Sequence, residues 1–103
     1  RHPGELRVAW EREILWLSPA DGEMLKVDWT VDEAVPAGFK AAVVGEGTIS
    51  VNVNGSAVPV SGGVCNFKLI AGANVIEIAF KGEGEAAVSD FFGAEHGLML
   101  IVR

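Results

Sequence analysis

Three stretches of this chain alternate apolar and polar side chains with a period of two. In 24–30, Leu25, Val27 and Trp29 fall on one side and Lys26 and Asp28 on the other. In 48–53, Ile49, Val51 and Val53 alternate with Ser50 and Asn52. In 75–80, Ile76, Ile78 and Phe80 alternate around Glu77. Successive side chains of an extended chain point to opposite faces, so this pattern specifies strands with one face buried and one wet. A helix needs apolar residues spaced by three and four, and that spacing is rare here.

The punctuation agrees. Asn54-Gly55 separates 48–53 from 56–60, and Asn-Gly suits a two-residue hairpin turn because both central residues need positive φ. Ser61-Gly62-Gly63 and Ala71-Gly72-Ala73-Asn74 mark further turns. Lys81-Gly82-Glu83-Gly84-Glu85 reads as a hairpin tip, since a glycine-rich loop this acidic would repel phosphate. Turns recur about every ten residues, the spacing of a β-sandwich. Pro59 belongs at an edge or a strand end, because it cannot donate to a ladder. Residues 5–17 carry two readings. Leu6, Trp10, Ile14 and Leu17 have helical spacing, while Glu5–Trp10 and Glu13–Leu17 read as strands; the all-β context favours strands. Ser18-Pro19-Ala20-Asp21-Gly22 ends that region as a turn. Val31–Gly38 is expected to be a loop or edge segment, and Ser89–Gly97 a second long loop. The expected core is Leu25, Val27, Trp29, Ile49, Val51, Val53, Phe67, Leu69, Ile76, Ile78, Phe80, Leu98 and Leu100.

A chain of 103 residues is one domain's worth. It begins at Arg1 and ends at Arg103 just after a strand-like run, so residues 1–103 are expected to be a single domain excised from a larger protein. Fourteen acids against eight bases leave a net charge of −6, which argues against nucleic acid and anionic membranes as partners. The longest apolar run, Leu98–Val102, is far short of the roughly 18 residues of a membrane span. The single cysteine, Cys65, has no internal partner for a disulfide. It shares a strand face with Phe67 and Leu69 and reads as a buried structural thiol.

Catalytic signatures are absent. There is no G-x-S-x-G, H-E-x-x-H, C-x-x-C or P-loop pattern, and no nucleophile–base constellation, so the chain is not expected to be an enzyme. His2 lies near a terminus and His96 in a loop, with no metal spacing between them. Asp28, Asp32 and Glu33 are the residues a structural Ca²⁺ would call on, but their spacing matches no Ca²⁺ loop. A solvated acidic face is the preferred reading, and no cofactor is expected.

The aromatic residues offer more. All three tryptophans lie in the first third, together with eight of the fourteen acids. Indole rings are costly to expose, and an exposed one marks a surface that stacks on something, such as the apolar face of a sugar ring. Trp29 is in phase with Leu25 and Val27 and belongs to the core. Trp16 and Trp10 are the open cases. Phe91 and Phe92 are adjacent, so in an extended chain one of them must point away from the core. The candidate ligand-binding residues are therefore Trp16, Trp10, Phe92, His96 and Glu95.

From Thr48 onward the turn motifs resemble those of galactose-binding-like β-sandwich modules. They are Val53-Asn54-Gly55, then Leu69-Ile70-Ala71-Gly72-Ala73-Asn74 leading into Val75–Phe80, and finally Gly97-Leu98. The resemblance covers about residues 48–102 and rests on turn-specifying residues. It implies an antiparallel, jelly-roll-like sandwich; an immunoglobulin-like sandwich is the alternative, though without the Cys-Trp-Cys framework. It also implies an accessory carbohydrate-binding module of a secreted or cell-surface bacterial enzyme, with polysaccharide or oligosaccharide and neighbouring domains of the parent chain as partners. No sugar-binding residue carries over by position. The alternative function is a structural or interaction domain that packs on a neighbour or self-associates, which a mean hydropathy of +0.32 would suit.

Overall fold

A computed structural model describes the backbone of residues 5–9, 13–17, 21–93 and 98–102, and the side chains of 21–93. Every regular element among them is a strand. In chain order these are β1 (Glu5–Ala9), β2 (Glu13–Leu17), β3 (Met24–Val31), β4 (Val35–Gly45), β5 (Thr48–Val53) and β6 (Ser56–Val58). They continue with β7 (Val60–Ser61), β8 (Val64–Leu69), β9 (Gly72–Lys81), β10 (Gly84–Phe92) and β11 (Leu98–Val102). The strand reading thus holds for 5–9 and 13–17.

The strands form two antiparallel sheets, ordered β1-β2-β10-β4-β8-β7 and β11-β3-β9-β5-β6. The pairing is nested about one turn. β5 pairs with β6, β4 with β8, β3 with β9 and β2 with β10, and successive pairs fall in alternate sheets. The chain is therefore a long two-stranded ribbon, folded back at Asn54-Gly55 and wrapped so that its rungs close two facing sheets. Pairs β4–β10 and β5–β9 then close the sheets side to side. This is jelly-roll topology. The turn that starts the ribbon has φ values of 52° at Asn54 and 84° at Gly55, both positive as the Asn-Gly pattern requires.

The inner faces meet in one core. Leu25, Val27 and Trp29 of β3, Val51 and Val53 of β5 and Ile76 and Ile78 of β9 come from one sheet. Phe39 of β4, Cys65 and Leu69 of β8 and Val88 and Phe91 of β10 come from the other. Phe80 is buried as expected, while Ile49 and Phe67 pack against the core only partly covered. The side chains of Leu98 and Leu100 lie outside the described residues. Trp29, Phe91, Phe39 and Phe67 form a chain of aromatic contacts with centroid separations of 6.3, 5.0 and 6.1 Å. Such pairs add about 0.5–1.5 kcal/mol each beyond burial.

Three expectations need correction. Val31–Gly38 is a loop only at 32–34: Val31 ends β3, and Val35–Gly38 begin β4, an interior strand flanked by β10 and β8. Its alternation is real but carried by small residues, with Ala37, Phe39 and Ala41 inward and Gly38 and Lys40 between them. Pro36 sits second in the strand, where a missing donor is tolerated better than at its middle. Next, Ser89–Phe92 complete β10 and do not begin a loop. Finally, Gly82–Glu85 is not a hairpin tip. It carries the chain from β9 in one sheet to β10 in the other, an arch that glycine content cannot distinguish from a hairpin. Pro59 does fall between β6 and β7, at strand ends.

The resemblance motifs meet in space at a buried joint. The Asn74 side chain is 1% exposed. Its Nδ2 donates to the carbonyls of Trp29 (3.0 Å), Ile70 (3.0 Å) and Gly72 (3.2 Å). Its Oδ1 accepts from the Ile70 amide (2.9 Å) and from Asn54 Nδ2 (3.0 Å). Asn54 in turn accepts from the Val75 amide at Oδ1 (2.8 Å) and donates its own amide to the Val75 carbonyl (2.8 Å). One buried amide thus ties β3, the turn before β9 and the tip of the ribbon together, with every polar atom satisfied. The motif residues specify architecture.

Candidate functional site

Phe92 is the one proposed site residue whose side chain is among those described. It is 41% exposed, whereas its neighbour Phe91 is 4% exposed. The expectation that one of the pair turns outward holds, and the local reason is a bulge. Along β10, Ala86 and Val88 point inward, so strict alternation would send Asp90 inward, Phe91 out and Phe92 in. The register with β4 instead shifts between Ser89 and Phe92, and Asp90 takes φ 52°. One extra residue reverses the phase of everything after it. Asp90 then faces solvent, Phe91 joins the aromatic core, and Phe92 lands on the outer face. Aspartate tolerates the left-handed region better than most residues, which suits it to the bulge.

What Phe92 lands on is glycine. It is registered against Gly38 of β4, which is registered in turn against Asn66 of β8. A Cβ on Gly38 would lie 2.5 Å from Phe92 Cζ and 3.0 Å from Cε2, and would meet the Cys65 carbonyl oxygen. The far end of the ring therefore reaches over Gly38, into the space a side chain there would fill. It covers the gap a glycine leaves in a sheet and keeps part of its own surface in water.

Polar side chains of the same outer face surround the ring. Asn66 ends its row. One row along, Lys40 is registered against Ser89 and forms an exposed ion pair with Asp90, Nζ to Oδ2 3.6 Å. On the other side Lys68 is registered against Pro36. Neighbouring rows of one face are about 7 Å apart and neighbouring strands about 4.8 Å. These groups thus frame the ring at the scale of one or two sugar units. Sequence reasoning missed Gly38, Lys40, Asn66, Lys68 and Asp90. Period two around Phe39 and around Cys65–Leu69 would have put Gly38, Lys40, Asn66 and Lys68 on one outer face. The bulge that adds Phe92 to them has no signal beyond an aspartate in a strand.

Trp16 lies in β2, its backbone registered against Leu6 and Val88. Its side chain, and Trp10, Glu95 and His96 altogether, lie outside the described residues. Cys65 is fully buried, and burial pushes its thiol from 9.0 up to about 11. It is protonated at neutral pH, which fits a packing role and not a nucleophile. Among the described residues no three His, Cys, Asp or Glu side chains come together to hold a metal. Asp28 instead lies 3.7 Å from Lys26. Comparison of the chain with protein-family models, with curated proteins and with solved structures returns no match, so the reading of this site rests on its own residues.

Proposed function

We propose that this domain is a non-catalytic carbohydrate-binding module, and that the outer face around Phe92 is where glycan docks. The observation that carries the reading is Phe92, 41% exposed, with the far end of its ring over Gly38. An aromatic ring held this way stacks on the C–H face of a sugar, while the Asn66 amide and the Lys40–Asp90 pair supply donors and acceptors for hydroxyl groups. A partly polar sheet face suits a chain that runs across it. The resemblance of the turn motifs supplies the setting of this proposal: an accessory domain of a secreted bacterial carbohydrate-active enzyme, with the glycan and neighbouring domains as its partners.

The test is affinity electrophoresis and calorimetry against a panel of soluble polysaccharides. Binding to at least one, lost on Phe92→Ala with the far-UV spectrum unchanged, is the expected outcome. Binding to none of them, or binding indifferent to Phe92→Ala, overturns the proposal. A second reading, a domain that packs on a neighbour, is favoured by adjacent Val43 and Val44 at the end of β4, 37% and 71% exposed. It predicts no glycan binding in the same assay.

A further inference from the structure

Among the described residues the two sheets leave four edges: β1 and β7 in one, β11 and β6 in the other. An edge strand presents unpaired backbone donors and acceptors, and proteins blunt such edges with charge, proline or brevity. Three of the four carry these devices. β1 contains Glu5 and Arg7. β6 and β7 are three and two residues long, and Pro59 interrupts the chain between them. β11 has none. Its five residues, Leu98-Met99-Leu100-Ile101-Val102, are all apolar, with no charge and no proline. One side of β11 pairs with β3 along its whole length, from Leu98 opposite Trp29 to Val102 opposite Leu25. Among the described residues nothing pairs with the other side.

We propose that β11 is a self-association edge, where a second copy of this chain adds its own β11 antiparallel about a two-fold axis. A strand pairs with itself about such an axis without introducing any new charge, and this strand has none to repel. The register that pairs all five residues puts Leu100 opposite its own copy and Met99 opposite the partner's Ile101. The second sheet then runs continuously through both copies, its open edges now the short β6 of each. Backbone hydrogen bonds supply the affinity, as in strand addition generally, and the isologous geometry closes at two copies. This inference does not depend on glycan binding.

The test is sedimentation velocity over a concentration series on three proteins. The unaltered chain is expected to pass from monomer to dimer and no further. In Met99→Lys with Ile101→Lys, like charges would meet twice across the two-fold axis, and the dimer is expected to be lost. In Met99→Lys with Ile101→Glu, each new charge faces its opposite both across the dimer and within the chain, where Asp28 and Lys26 are the registered partners. That variant is expected to dimerise. The double lysine also sets Ile101→Lys opposite Lys26 within the chain, so its far-UV spectrum and melting curve must match those of the unaltered chain for its loss of dimer to count. A monomer at every concentration in the unaltered chain overturns the proposal. So does a dimer that survives the double lysine.

Discussion

Among the described residues only two that are not glycine adopt positive φ, Asn54 and Asp90, both at 52°. They do opposite things with it. Asn54 turns the ribbon at its tip, and its side chain reaches inward to a buried amide that is bonded on every atom. Asp90 inserts a bulge into β10, and its side chain reaches outward to one exposed lysine. The first irregularity is held by the fold and supports it. The second is held on its own side chain by one exposed ion pair, and it sets the phase that puts Phe91 in the aromatic core and Phe92 on the surface.

If that contrast is right, breaking the inward joint is costly and breaking the outward one is not. The largest loss is expected for Asn74→Ala. It takes one partner from the carbonyls of Trp29, Ile70 and Gly72 and from the Ile70 amide; at about 1–3 kcal/mol for each group left unbonded out of reach of water, a total of about 3–4 kcal/mol is expected. Urea denaturation monitored by tryptophan fluorescence measures it as a lowered midpoint at unchanged slope. Next comes Gly38→Ala. The new methyl must displace the Phe92 ring and push against the Cys65 carbonyl, an overpacking cost of about 1–3 kcal/mol. The same variant is expected to weaken glycan binding. A loss of stability with binding intact would show that the ring's seat on Gly38 is only packing. The smallest effects separate two substitutions at the bulge. Asp90→Gly keeps the left-handed backbone and removes only a solvent-exposed ion pair, so it should change stability by less than about 1 kcal/mol. Asp90→Val, β-branched at the same φ, should cost about 1–2 kcal/mol more than Asp90→Gly. Equal stabilities for the two would mean that the bulge relaxes freely, and the contrast with Asn54 would fail.

The parts of this fold legible in the amino-acid sequence are those where large apolar side chains alternate with polar ones. β3, β5 and β9 announce themselves by Leu25-Val27-Trp29, Ile49-Val51-Val53 and Ile76-Ile78-Phe80, and the Asn54-Gly55 turn by its chemistry. β4 hides because three of its inward and outward positions, Ala37, Gly38 and Ala41, are small. Their size records what packs on them, including the Phe92 ring, and not an exposed loop. The site was half legible. Adjacent phenylalanines force one ring outward in any strand, but which one depends on a bulge, and the bulge depends on a single backbone angle. The glycine beneath the ring was visible only as a strand breaker. The buried thiol, by contrast, followed from its place in an alternating segment, and its protonated state follows from the burial.

The nested ribbon also prescribes an order of assembly. Val53 opposite Ser56 needs almost no chain to close; Val35 opposite Leu69, Met24 opposite Ala79 and Leu17 opposite Ala87 need progressively more. Closing any outer rung first would cost the entropy of the whole intervening loop, whereas each rung closed after its inner neighbour adds only a short increment. The chain is thus built to zip outward from Asn54-Gly55. Its long-range pairings place it among proteins that fold in milliseconds to seconds, and the turn at the tip sets when that process can begin.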